Sequence, residues 1–259
     1  MATSKKVTEV GRSETTSVSS NQGKGFVPTA EAKGKATQLR VLAAVFWILA
    51  VIAQLGAIWH LLHIPESGVI MWLVILLIAV DLALAITGSM FWKKSNRFDP
   101  ASEKKKFLFF LQNQLGIFTA IVAFLPLVIV IFRSNNLSGK QKGILGGIAI
   151  AALAAAGLLG ADFNPPSQEQ YAEQTAQVES LTGNNHVYWT KSGTKYHIYD
   201  DCQHINTNKT DEIFSGTVAN AREEKNITEL CKTCATRAEK AKGQDPVNAE
   251  ETLPDSPTE

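Results

Sequence analysis

Nearly all the long apolar runs of this 259-residue chain fall in one block, residues 41–162, and both flanks are polar. Within the block, four segments at about 41–62, 68–92, 107–132 and 143–161 reach the length of about 20 residues that a helix needs to cross a bilayer. A water-soluble helix of that length carries a polar face, and none of these segments has one. This patterning excludes a simple soluble globular enzyme. It predicts a mainly α protein: a four-helix transmembrane bundle with the lipid bilayer as its first partner.

The flanks set the expected topology. Residues 1–36 contain no apolar stretch of the kind that precedes a cleavage site, so the first span is expected to act as an uncleaved anchor. Lys24, Lys33, Lys35 and Arg40 precede the first span. Lys93, Lys94, Arg97, Lys104, Lys105 and Lys106 fill the loop between the second and third. The turn His63-Ile64-Pro65-Glu66-Ser67 carries neither lysine nor arginine. By the positive-inside rule the amino terminus and the second loop are cytoplasmic, and four crossings place the carboxy terminus there too. The basic third loop (Arg133, Lys140, Lys142) runs against this assignment, as does the lack of lysine or arginine from there to Lys191. If the fourth segment fails to cross, the tail lies outside.

Two features inside the block invite a functional reading. Gly143, Gly147, Ala151 and Ala155 recur every four residues, a small-residue stripe that lets helix backbones approach. Packing against another span of the same chain is the favoured reading, and homo-oligomerisation the alternative. Gln54, His60, Asp81 and the Gln112-Asn113-Gln114 step are the polar groups near membrane depth. Such groups are costly in lipid and often mark a pathway, but one acid among four short spans makes a poor transporter. Hydrogen-bonded packing is expected for them.

Outside the block the chain divides into an amino-terminal tail (1–37) expected to be disordered, a linker (163–185), a compact stretch (186–240) and an acidic, disordered tail (241–259). The linker opens with Pro165-Pro166 and continues into Gln/Glu/Ala-rich residues able to form a short solvated helix.

The compact stretch carries the chemistry. Val187-Tyr188-Trp189-Thr190 and Lys195-Tyr196-His197-Ile198 are strand-like around a Ser192-Gly193 turn, and Thr217 is placed to cap a helix over 217–225. All three cysteines of the chain lie here, too few and too clustered for a disulfide scaffold. His197 and Cys202 form one pair and Cys231 and Cys234 another, a spacing that suits one tetrahedral zinc with a closed Cys3His shell. The segment has few large aliphatic residues, so metal binding would supply its folding energy directly. His204 competes with His197 for the fourth position, and His186 is a more distant candidate. The remaining readings are a Cys231–Cys234 redox pair or unrelated thiols. Together these elements predict a small ββα-type zinc-binding module.

The pattern Val187-Tyr188-Trp189-Thr190, Lys195-Tyr196-His197, Cys202, Ser215-Gly216-Thr217, Ala221 and Cys231-x-x-Cys234 resembles a small bacterial metal-binding module. It is similar to the zinc-binding domain of the Ada DNA-repair protein and to modules appended to some secreted nucleases. The membrane block, through Asp99-Pro100-Ala101-Ser102-Glu103-Lys104 and Asn113-Gln114-Leu115-Gly116, resembles an uncharacterised bacterial four-span family with the same carboxy-terminal module. The resemblance implies architecture and a metal site. The Ada domain uses four cysteines, the first of the upstream pair being the methyl acceptor. His197 occupies that position here, so alkyl transfer is not expected.

No enzyme is expected. Asp200, Asp201, Asp211 and Glu212 lie in a loop without a catalytic constellation, and a closed zinc shell leaves no site for activated water. Residues 186–240 hold eight Lys/Arg and eight Asp/Glu, and the whole chain carries +1, which argues against nucleic acid as partner. The favoured expectation is a membrane-anchored adaptor or assembly subunit with a protein partner. A metal- or redox-responsive sensor is the alternative, and a tethered nucleic-acid-binding module comes after it.

Overall fold

The computed structural model describes residues 6–10, 26–65 and 69–243, which form two compact units. The expected acidic tail beyond 243 and the tip of the first turn lie outside the described residues.

The first unit, Pro28–Gln168, is built from four helices: α1 (Ala30–His63), α2 (Met71–Phe98), α3 (Lys106–Arg133) and α4 (Gly139–Gly160). All four are long and apolar enough to cross a membrane. Their large side chains point outward: Val45, Ile48, Ile52 and Leu55 on α1 and Ile121, Val122, Leu125 and Ile129 on α3 are exposed. The interior combines small residues with a few large ones such as Leu61, Phe124 and Leu127. Ala36, Ala43, Ala50 and Ala57 recur every seven residues on α1 and are all buried, Ala36 clustered with Phe98 of α2 and Ala43 backed onto Gly88. Lipid tails are as apolar as leucine, so this bundle gains from close helix approach rather than from hiding large side chains. Gly88 admits the Trp47 ring, and the backbones of Gly116 on α3 and Gly160 on α4 meet where neither position has room for a Cβ.

Helix α4 corrects one expectation. Gly143, Gly147 and Ala151 face outward, and a Cβ on either glycine would meet nothing. The packed face is the neighbouring one, Leu145, Gly146, Ala149, Ala152, Ala156 and Gly160. Two small-residue rows share this helix, and the row in contact is the one that meets Phe132 and Gly116.

Polar groups cluster at the two ends. At one, Ser134 Oγ donates to Leu61 O, Asn136 Nδ2 donates to Leu61 O and Leu62 O, and Ile70 N donates to His60 Nε2. At the other, Arg40 pairs with Asp99 at 2.8 Å, and Gln112 and Asn113 bond to Asn96. There Gln114 and Lys93 donate to the last carbonyls of α4 and its exit, at Asp162 and Leu159. The Gln112–Gln114 step is hydrogen-bonded packing. Asp81 differs: it is fully buried, and neither carboxylate oxygen has a hydrogen-bond partner among the described residues. Gln54 Nε2 is also buried without one. The contacts Trp47–Gly88 and Gly56–Leu77 bracket both residues, so Gln54 and Asp81 sit level on the antiparallel α1–α2 pair.

The second unit joins Met1–Val27 to Glu169–Glu259. Its elements are β1 (Lys6–Glu9), α5 (Gln168–Thr182), β2 (Val187–Thr190), β3 (Lys195–Tyr196), β4 (Glu212–Gly216), α6 (Val218–Lys225), β5 (Glu229–Leu230) and α7 (Lys232–Gly243). One sheet has the order β1-β4-β2, with β1 parallel and β2 antiparallel to β4, and a second pairs β3 with β5 in parallel. The anticipated hairpin reduces to one bridge, Tyr188 with His197, closed by two hydrogen bonds of 2.7 Å. Thr217 caps α6 as expected, with Asn220 completing a reciprocal capping box.

The domain boundaries move accordingly. The tail expected to be disordered over 1–37 supplies β1, and α1 starts at Ala30 under a Thr29 cap. Strand β1 is held mainly by backbone pairing to the edge of β4, with Lys6 and Thr8 reaching Glu212. The expected linker contributes α5, which is not fully solvated: Tyr171, Thr175 and Val178 are buried, one helical face at i, i+4 and i+7. Arg222 of α6 is fully buried over the Tyr171 ring at 4.5 Å and donates to Gln174 and Gln170.

Candidate metal centre

The second unit has a core of Trp189, Tyr196, Ile205, Ile213, Val218 and Ile227, and a group of metal-competent side chains abuts it. His197, Cys202, Cys231 and Cys234 each offer one ligand atom, and these atoms all lie within 4.8 Å of one another. All four residues are buried.

The fold brings them together by strand pairing. Strands β3 and β5 run in parallel with Tyr196 opposite Leu230, so the next residues, His197 and Cys231, leave the sheet side by side. Cys231 N donates to Tyr196 O at 2.9 Å and fixes that exit. Cys234 follows in the first turn of α7, where its Sγ lies 3.6 Å from His197 Nδ1. Cys202 closes the group from the loop after His197, its N–H bonded to Tyr199 O.

The electrostatics of the four donors differ. Burial, with His204 nearby, pushes His197 down to about 4, so its imidazole is neutral at pH 7 and free to ligate. Burial also opposes ionisation of Cys231, yet the amides of Cys234 and Thr233 and the neighbouring thiols hold its thiol below the ordinary range. Cys234, more deeply buried and flanked by Cys202, is pushed up to about 12. A cation is what would release that proton, because a thiol binds metal as its thiolate.

The other candidates fall outside the cluster. His204 is exposed and hydrogen-bonded through Nε2 to Thr233 Oγ1 at 3.1 Å, its ring centroid 6.5 Å from that of His197. His186 stands edge-on to Tyr188. Asp201 pairs with Arg237, and Glu212 with Lys6. Trp189 and Tyr196 belong to the core. Sequence reasoning missed α5 and β1 as parts of this unit. The spacing of Tyr171, Thr175 and Val178 was a readable signal for α5, whereas Lys-Val-Thr-Glu offers none that distinguishes it from a polar tail.

The chain is thus a membrane protein by its four apolar helices, with a buried His/Cys cluster that can hold a metal ion. Protein-family models, curated proteins and solved structures were compared with it, and none matches.

Proposed function

We propose that the protein is a membrane-anchored adaptor or assembly subunit whose cytoplasmic module is held folded by one structural zinc on His197, Cys202, Cys231 and Cys234. The observation that carries this reading is the closed donor set: one imidazole and three thiols, all buried and mutually within 4.8 Å. Tetrahedral zinc with bonds of about 2.3 Å to sulfur and about 2.0 Å to nitrogen places its ligand atoms roughly 3.5–3.8 Å apart. The soft, nitrogen-and-sulfur donor set suits zinc over calcium or magnesium. Four protein ligands leave no open position for substrate or water, which supports a structural role over a catalytic one.

Strand β1 supports the topology. It pairs with β4, so segments before α1 and after α4 meet in one unit, and only an even number of crossings allows that. The lysine and arginine distribution then favours the cytoplasmic side.

The test is zinc retention in the purified full-length protein, combined with labelling of an added surface cysteine at Lys225. The adaptor reading expects one zinc that survives mild chelation and peroxide, and labelling only from the cytoplasmic face. Zinc that leaves readily under either treatment supports the sensor reading instead. Labelling from outside overturns the topology.

A further inference from the structure

A cavity of about 390 Å³ opens beside the metal cluster. The turn after β2 forms one wall, with Thr190, Ser192 and Thr194; His204, Lys232 and Thr233 form another, and Lys195 with the cluster residues His197 and Cys231 belongs to the lining as well. A second hollow, of about 660 Å³, continues from Lys232 and Thr233 along α7 past Thr236, Arg237 and Lys240. No aspartate or glutamate lines either one. The equal count of eight basic and eight acidic residues over 186–240 therefore hides a segregation. Lys232 and Lys240 make no ion pair among the described residues, while Lys195 and Arg237, which also line the hollows, pair with Glu229 and Asp201.

Thr190 gives the cavity a built polar anchor. It is 9% exposed, it lines the cavity, and its hydroxyl makes no hydrogen bond among the described residues. The turn closes tightly over it, since a Cβ on Gly193 would stand 2.7 Å from Thr190 Oγ1. On the opposite wall the His204 bond fixes the Thr233 hydroxyl. Cations and hydroxyls without a carboxylate are the donor set for a phosphate group. The volume is that of a small-molecule site. A polymeric nucleic acid fits less well, because neither hollow is lined by a tryptophan, tyrosine or phenylalanine on which a base could stack.

We propose that this cavity binds a phosphorylated small molecule, its phosphate held by Lys232 and Thr233 and a polar group of its body by Thr190. The test is calorimetric titration of inorganic pyrophosphate into the full-length protein in detergent, with metal content read on the same sample. Saturable binding without release of the metal is expected, one phosphate on Lys232 and Thr233 and the other on Thr190, weakened roughly tenfold or more by Lys232→Ala and by the isosteric Thr190→Val. Lys225→Ala, on α6 and outside both hollows, should bind as wild type, and metal content should be unchanged in all three variants. No saturable binding by a sample that retains its metal overturns the proposal and leaves the metal reading intact. A metal-free sample that still binds upholds the proposal alone. Tighter capture of a single-stranded oligonucleotide than of pyrophosphate, lost in the same two variants, overturns it in favour of a nucleic-acid surface.

Discussion

The membrane bundle and the metal module solve the problem of an interior in opposite ways. The bundle buries alanine and glycine alongside a few large residues such as Leu61, Ile78, Phe124 and Leu127, and turns many more valines, isoleucines, leucines and phenylalanines outward. The module buries Trp189, Tyr196 and its isoleucines and turns charge outward, as a body in water must. The bundle is held by close backbone approach and by polar caps at its two ends. The module adds the adjoining helix α5 and the distant strand β1 to its core, and the proposed metal on its His/Cys cluster would supply the rest of its stability. A substitution should therefore damage one region and spare the other.

The largest effect is expected at the cluster. Cys231→Ser or Cys234→Ser should abolish metal binding and unfold the module, because apparent zinc-binding energies in such small sites are on the order of 10 kcal/mol. Limited proteolysis should then cut within 186–240 while the bundle keeps its helicity. A module that stays protected in these variants breaks the comparison.

Next come the packing contacts. Gly116→Leu should destabilise the bundle by about 3 kcal/mol or more, because its side chain would enter the Gly160 backbone. Gly147→Leu on the outward row should change stability by under about 0.5 kcal/mol. Thermal unfolding in detergent reads both, and equal effects would show that the outward row is packed too. Asp81→Leu should stabilise the bundle by about 2–3 kcal/mol, since the acid is buried among apolar residues and its oxygens lack partners. A loss of stability there would reveal a partner that Asp81 requires.

A smaller effect follows from pH. His197 sits at about 4 in the folded module against about 6.5 in an unfolded chain. Between those values the unfolded state binds a proton that the folded state does not, so stability is lost as pH falls through that window. Thiolate protonation adds in the same direction once metal is bound. Module unfolding followed from pH 7 to pH 4 should show this decline, and a flat profile would mean that His197 is not buried neutral.

The spans were legible because lipid imposes one rule on every residue of a long helix, and the cluster was legible because cysteine and histidine at short spacing have few other uses. The packed face of α4 was not legible. Both of its rows are small, and only the partners Phe132 and Gly116 decide between them. Strand β1 was hidden for a different reason: its pairing is a backbone contact to residues 206 positions away, such as Val7 opposite Ile213, and no side-chain pattern encodes it. His197 and His204 were left in competition by spacing alone. The β3–β5 register, which delivers His197 beside Cys231, separates them.

One zinc on one imidazole and three thiolates is what the proposed role of the module rests on. X-ray absorption on the purified full-length protein tests it most directly. One zinc per chain is expected, with sulfur neighbours at about 2.3 Å and a single nitrogen at about 2.0 Å. The nitrogen should vanish in His197→Ala and persist in His204→Ala. A folded module without zinc, or a nitrogen lost only in His204→Ala, would contradict it.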